Sequence, residues 1–322
     1  MGLPTGRLGN LQVTRLFLGC NQVSGYAHSR DLDYVNRLMN EYQTDERVLH
    51  TWQLCEEHGI NSLLSDPFEK PVRLMKRYRK ERGGKIQWIS EIHPPKYQYD
   101  IRLPDLKEDL KAVLDNEPHA LYIQGAICDA FVHRGLIEEL GEALDLMKQS
   151  GLPCGLGAHS VETPRACMKV GLQPDFFMKT FHSDDYWSAT PRAQRIEFNV
   201  DTRSSTNHDN IWDIKPEVTR EVMASFPRPW IAFKVMAAGA IPPEKAFRFA
   251  FQGGADFICA GMFDFQVAED VGIAKKVLAE RLDRGASLEN VVKRPGGDAG
   301  SEGPDIRPSG SRYRRAAVQG SQ

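Results

Sequence analysis

The sequence predicts an α/β fold, a single (β/α)8 TIM barrel with a short N-terminal hairpin and a disordered C-terminal tail, on three observations. Residues 229–264, PWIAFKVMAAGAIPPEKAFRFAFQGGADFICAGMFD, read as an apolar strand, a glycine turn, an amphipathic helix and a second apolar strand. Such a βαβ unit implies a parallel sheet. The same alternation runs through the preceding two hundred residues and yields eight strand candidates. Eight such units fit the ~250 residues that a closed barrel of this type needs.

Residues 8–13, LGNLQV, centre on Gly9-Asn10 and read as a hairpin turn. The first core strand is LFLGC at 16–20. The polar and aromatic stretch 21–45 is too long for a turn and is expected to be partly ordered over the barrel mouth. Val48, Leu49, Trp52 and Cys55 recur at helical spacing up to Gly59, and strand two follows at 60–64. A basic amphipathic helix at 72–78 leads to strand three, KIQWISEI, at 85–92. A helix at 106–114 leads to strand four, ALYIQG, at 120–125. A helix at 136–147 is closed by Gly151, and strand five occupies 154–159. A helix at 163–170 precedes strand six, DFFMKTF, at 175–181. Residues 183–213 form a long polar excursion before a helix near 216–225. The unit quoted above supplies strands seven and eight, and 266–282 is the closing helix. The domains are therefore the barrel, 1–286, and a tail, 287–322, too rich in Gly, Pro, Ser and Arg to bury a core.

Composition narrows the function. Hydrophobic residues make up 41% and charged residues 26%, ordinary for a globular protein, and the net charge of -2 argues against nucleic-acid binding. No run is long enough for a membrane span, and no charged-then-apolar signal segment opens the chain. Six cysteines without CxxC pairing point to a reducing, cytoplasmic location. The expected partner is a small molecule, with a homo-oligomer left open.

Barrel enzymes carry their sites where strands end and βα loops begin. Those ends hold Asn21, Asp66, Glu91, His93, Gln124, His159, Lys179, His182 and Lys234. Strand alternation puts Gly155, Gly157 and His159 on one face of strand five. It pairs Ala232 with Lys234 on strand seven, opposite Ile231, Phe233 and Val235, so that Lys234 is expected to point into the barrel. Glu91, His159 and His182, joined by His93 or Asp184, offer carboxylate and imidazole ligands for a divalent metal such as Zn, Mn or Fe. Lys179, Lys234 and Asp66 are then the catalytic groups, the lysines stabilising an enolate or alkoxide. Asn21, His93, Gln124, Tyr186, Trp187 and Trp212 are the expected substrate contacts, with the excursion, which also carries His208, Asp209 and Asn210, as a lid or wall. Tyr26 and His28 face the same mouth. The leading expectation is thus a metal-dependent lyase or isomerase acting on a polar, hydroxylated, sugar-like molecule, without a dedicated cofactor-binding segment. A non-catalytic ligand-binding barrel is the alternative outside enzymology.

Two resemblances add further expectations. FMKTFHS and FKVMAAGAI, on strands six and seven, resemble the deoxyribose-phosphate aldolase class. The match implies a Schiff base on Lys179, with Lys234 as the second cation that lowers its pKa. Over residues 6–280, GRLGNLQVTRLFLGC, CEEHGINSLLSD, GLGAHSVETPRACMKVGLQPDFF and ICAGMFDFQVAEDVGIA resemble an aldo/keto reductase barrel. That resemblance implies an NADP-dependent oxidoreductase. The family has Asp and Tyr after strand two, Lys on strand three and His on strand four. This chain has Asp66 followed by PFEKP without tyrosine, Glu91 on strand three, and Gln124 or Gly125 on strand four. The acidic MFDFQVAED stands where the family's Arg- and Ser-bearing segment holds the NADP phosphate.

Overall fold

The computed structural model describes residues 2–29, 32–94, 101–199 and 211–283. The hairpin pairs β1 (Thr5–Leu8) with β2 (Leu11–Thr14), Leu8 opposite Leu11, and Gly9 turns the chain at φ +54°. Eight parallel strands then close on themselves. They are β3 (Leu16–Gly19), β4 (Ser62–Ser65), β5 (Gln87–Ile92), β6 (Ala120–Ile123), β7 (Cys154–Ala158), β8 (Phe176–Thr180), β9 (Trp230–Phe233) and β10 (Phe257–Gly261). Each strand pairs with the next, and Ile258 beside Leu16 seals the barrel.

Alternate strand residues divide into two cores, as a period of two requires. Phe17, Leu64, Ile89, Tyr122, Phe176, Met178, Ile231, Phe257 and Cys259 fill the interior. Leu16, Leu18, Leu63, Trp88, Leu156, Phe177, Trp230 and Ala232 pack outward with the helices. Leu8 and Val13 belong to the interior cluster, so the hairpin plugs the N-terminal end and leaves the other end for a site.

Helices α1 (Asp33–Tyr42) and α2 (Asp45–Glu57) follow β3, and α3 (Glu69–Arg82) follows β4. The part of 21–45 expected to order over the mouth is α1, whose Val35, Leu38, Met39 and Tyr42 line the cavity there. α4 (Leu103–Leu114) follows β5. α5 (Gly125–His133) and α6 (Ile137–Lys148) both follow β6. α7 (Glu162–Lys169), α8 (Pro216–Ser225), α9 (Pro243–Gln252) and α10 (Val267–Asp283) complete the ring. The sequence reading lacked α5. Its GAICDAFVH is buried on nearly every side, so it has no polar stripe to reveal a helical period. The expected tail, 287–322, lies outside the described residues.

Two glycines of β7 have no room for a side chain, one against the start of α5 and one against a ring of the barrel interior. A Cβ on Gly157 would stand 2.7 Å from the Gly125 backbone nitrogen, and one on Gly155 would stand 2.3 Å from the Phe176 ring. Gly157→Ala is therefore expected to cost at least about 3 kcal/mol, the upper end of ordinary overpacking, because rigid backbone blocks its methyl. Chemical denaturation checks this, and a midpoint equal to that of the unsubstituted protein would refute it.

Candidate active site at the barrel mouth

At the C-terminal mouth lies a cavity of about 710 Å³. Asp66, Glu91, His93, Tyr122 and Gln124 line one part of it. His28, His159, Trp212, Phe233 and Lys234 line another, and Phe263 and Phe265 line a third.

The acidic part is built on β4, β5 and β6. Glu91 shares the inner face of β5 with Ile89, accepts a hydrogen bond from the Tyr122 hydroxyl, and lies 3.3 Å from His93 Nδ1. Burial, with the Glu91 charge beside it, raises the Tyr122 phenol well above its ordinary value, so it remains a donor. Asp66 follows β4 and accepts a 3.1 Å bond from Phe68 N. Burial first, and then the neighbouring Glu91 charge, push its carboxyl up to about 6. His93 is fixed by its backbone N–H, 2.6 Å from Asp109 Oδ2, and by the Phe68 ring, 5.0 Å away. Gln124 borders the cavity but is the N-cap of α5, its Oε1 accepting from Ala126 N at 2.7 Å and Ile127 N at 3.3 Å.

The basic part gathers around Trp212. The Lys234 ammonium sits 3.4 Å from the centre of the Trp212 ring and 3.3 Å from His28 Nδ1. His28 and His159 approach the same indole at 5.5 and 5.4 Å between centroids. Asn21 Nδ2 holds His28 Nε2 at 2.7 Å, and the Tyr26 ring lies over His28.

Lys234 reaches this place by a route that alternation does not give. Ile231 and Phe233 face the barrel interior and Ala232 faces the helices, the reverse of the expected parity. The strand ends at Phe233, and Lys234 adopts a left-handed φ of +56° that swings its side chain into the mouth. His28, Ala237 and Ala238 share that rare conformation. Backbone strain of this kind concentrates at functional sites.

Lys179 lies elsewhere. Its register partners are Ala158 and Ala232, both on the helix side. The ammonium is 1% exposed and donates to His159 O at 2.8 Å, Thr180 O at 2.9 Å and Thr180 Oγ1 at 2.7 Å, with Asp213 Oδ1 at 3.9 Å. Lys179 and Lys234 thus stand on opposite sides of the sheet, and the paired amines implied by the aldolase resemblance are not formed.

His182 is also spent on structure. Its Nε2 accepts from Trp212 N at 2.9 Å and Asp213 N at 3.1 Å, which leaves Nδ1 to donate to Ser183 O at 2.8 Å. Tyr186 packs edge-on against it, 6.0 Å away, and Trp187 is 90% exposed. Neither lines the cavity. Asp184 binds Arg192 and Arg195, and His208, Asp209 and Asn210 lie outside the described residues.

Two site residues escaped the sequence reading. Tyr122 was legible, since it shares strand parity with Gln124. Asp129, in the apolar run of α5, carried a signal only as a charge among hydrophobic neighbours.

No family model matches the sequence, and no curated protein matches it. Solved structures do match in fold. A Pseudomonas aeruginosa protein described as an aldo-keto reductase aligns over 85% of this chain and 94% of its own, with a TM-score of 0.58 at 17% identity. The aldo-keto reductase AKR11C1 from Bacillus halodurans, in its holo form, aligns over 85% and 91%, with a TM-score of 0.55 at 12% identity. The aldo-keto reductase AKR2E5, complexed with NADPH, aligns over 95% and 97%, with a TM-score of 0.53 at 11% identity. The fold is that of an aldo-keto reductase-like (β/α)8 barrel.

The expectation of a metal-dependent lyase or isomerase is corrected accordingly. Among the described residues no three His, Cys, Asp or Glu side chains converge to hold a metal ion. Glu91 is engaged by Tyr122 and His93, His159 by Asp129, and both ring nitrogens of His182 by backbone. The Zn, Mn or Fe cofactor is withdrawn with it, because matching barrels are described as aldo-keto reductases and two matching structures as complexes with NADPH. No helix among the described residues is long and apolar enough to cross a membrane.

Proposed function

We propose that this chain is an oxidoreductase that uses a nicotinamide dinucleotide on a small carbonyl compound or alcohol. The observation that carries the reading is the cavity at the mouth of an aldo-keto reductase-like barrel, with Lys234 turned into it by a left-handed backbone. The lining fits the cofactor in part. Val235, Met236, Ile241, Phe263 and Phe265 offer an apolar bed for the nicotinamide. Lys234 and the turn through Ala238 and Gly239, after the seventh barrel strand, would hold its phosphates, where barrels of this type commonly bind them. No arginine borders the cavity among the described residues, so no such clamp for a 2′-phosphate is present there.

When bound, the cofactor supplies or accepts a hydride. The protein has to bind, orient and protonate the substrate. Asp66 and Glu91 accept hydrogen bonds from substrate hydroxyls, while Trp212 and Phe233 wall off water. The resemblance finds no tyrosine after strand two, Glu91 at the lysine position and Gln124 or Gly125 at the histidine position, so the proton comes from another cavity group. All six cysteines are buried and unbridged, consistent with a reducing cytoplasm.

Fluorescence titration with NADPH and with NADH tests the reading. Binding of at least one tighter than about 1 mM is expected, weakened roughly tenfold in Lys234→Gln. Failure of both to bind would overturn it.

A further inference from the structure

His159 directly follows β7, and its ring lines the cavity between Phe198, Trp212 and Phe233, at centroid distances of 4.7, 5.4 and 5.5 Å. Behind it stands Asp129 of α5, 5% exposed. Asp129 Oδ2 accepts from His159 N at 2.8 Å and lies 3.2 Å from His159 Nδ1. Asp129 Oδ1 accepts from Thr163 Oγ1 at 2.6 Å and Ser160 N at 3.3 Å. Three donors, His159 N, Ser160 N and Thr163 Oγ1, fix the orientation of the carboxyl, and its Oδ2 beside Nδ1 favours the tautomer with the imidazole proton on Nδ1. Nε2 is then the basic nitrogen of a ring that borders the cavity. The seat is shaped for this ring, since a Cβ on Gly125 would come within 3.1 Å of its Cε1 and Nδ1. Burial raises the Asp129 carboxyl, and its Thr163 and backbone donors and the Lys179 charge oppose the rise.

We infer that His159 is the catalytic group that exchanges a proton with the substrate oxygen, and that Asp129 positions it. This rests on the oxidoreductase reading. In the reducing direction a hydride donated by a reduced nicotinamide, which is thereby oxidised, would form the new C–H bond at the carbonyl carbon as the C=O π bond breaks. The displaced electron pair on oxygen takes the proton from Nε2 of the imidazolium, giving an alcohol and a neutral ring that water reprotonates. Oxidation runs the same steps backwards, with neutral His159 removing the hydroxyl proton.

The test uses the full chain, NADPH and NADH with p-nitrobenzaldehyde as probe, and magnetic resonance of isotope-labelled histidine. His159→Gln is expected to keep dinucleotide binding within about twofold and to lower aldehyde reduction by about 10²-fold or more. Asp129→Asn is expected to lower turnover comparably and to move His159 from the Nδ1–H tautomer to a mixture. Thr163→Val touches Asp129 without touching the ring, and is expected to preserve the tautomer if Asp129→Asn fails to fold. Turnover in His159→Gln within about threefold of the unsubstituted protein would overturn the inference. An Nε2–H tautomer in the unsubstituted protein would also overturn it. Should that protein show no dinucleotide binding or no aldehyde turnover, the oxidoreductase reading falls by itself, and the tautomer alone decides the dyad.

Discussion

Replacing Lys179 by methionine is expected to lower the melting temperature by roughly 5–8 °C while leaving dinucleotide binding intact. The reasoning starts from burial. The ammonium is 1% exposed, bonds two backbone carbonyls and the Thr180 hydroxyl, and is the cation beside the buried Asp213. Methionine keeps the volume and removes the charge. Breaking a buried pair from one side costs about 3–5 kcal/mol, because the remaining charge has lost its compensation. At an unfolding entropy of about 2.1 cal/mol/K per residue, each kcal/mol moves the midpoint of a chain this long by only roughly 1.5–2 °C. Asp213 already sits at about 6 through burial, a rise that Lys179 opposes, so the variant carboxyl takes a proton still more readily. The deficit should therefore be smaller at pH 5 than at pH 8. Thermal melts at both pH values check this. An unchanged midpoint together with lost dinucleotide binding would place Lys179 in the cavity's chemistry instead.

Asp66→Asn is expected to stabilise the protein at pH 8 by up to about 3 kcal/mol, and by almost nothing below pH 4. The Asp66 carboxyl is raised from an ordinary value near 4 to about 6 by burial and by Glu91. Between those values the folded chain binds the proton more tightly than the unfolded chain. Its contribution to stability is therefore complete below the unfolded pKa and is lost as pH rises through about 6. The amide has no charge to bury and its oxygen still accepts from Phe68 N. Asp109 and Asp213 are also raised to about 6, so the parent protein should itself lose stability from pH 4 to pH 7. The difference between parent and variant isolates Asp66. Urea unfolding at pH 4, 6 and 8 reads it directly, and parallel stability curves would refute the account.

Much of the architecture is written locally. Leu16, Leu63, Trp88, Leu121, Leu156, Phe177, Trp230 and Ile258 lie on strands close to their expected bounds, because short apolar runs between glycine and proline punctuation report strands without tertiary help. Gly155, Gly157 and His159 share the inner face as alternation demands, and the Gly9-Asn10 turn forms the hairpin. Helix α5 was not visible, since a helix buried on all sides has no polar face to mark its period.

By itself, then, the sequence determined the barrel, its N-terminal hairpin and which polar residues lie near the strand ends. These follow from periodicity and turn chemistry, which act over a few residues. The tertiary structure alone decided which of those residues meet. It turned Lys234 inward through a left-handed φ, set Lys179 beside Asp213 and His182 against the backbone of Trp212 and Asp213, and put Asp129 behind His159 across thirty residues of chain. One residue at the end of a strand chooses between inside and outside, and that choice depends on contacts between distant segments that no local pattern encodes.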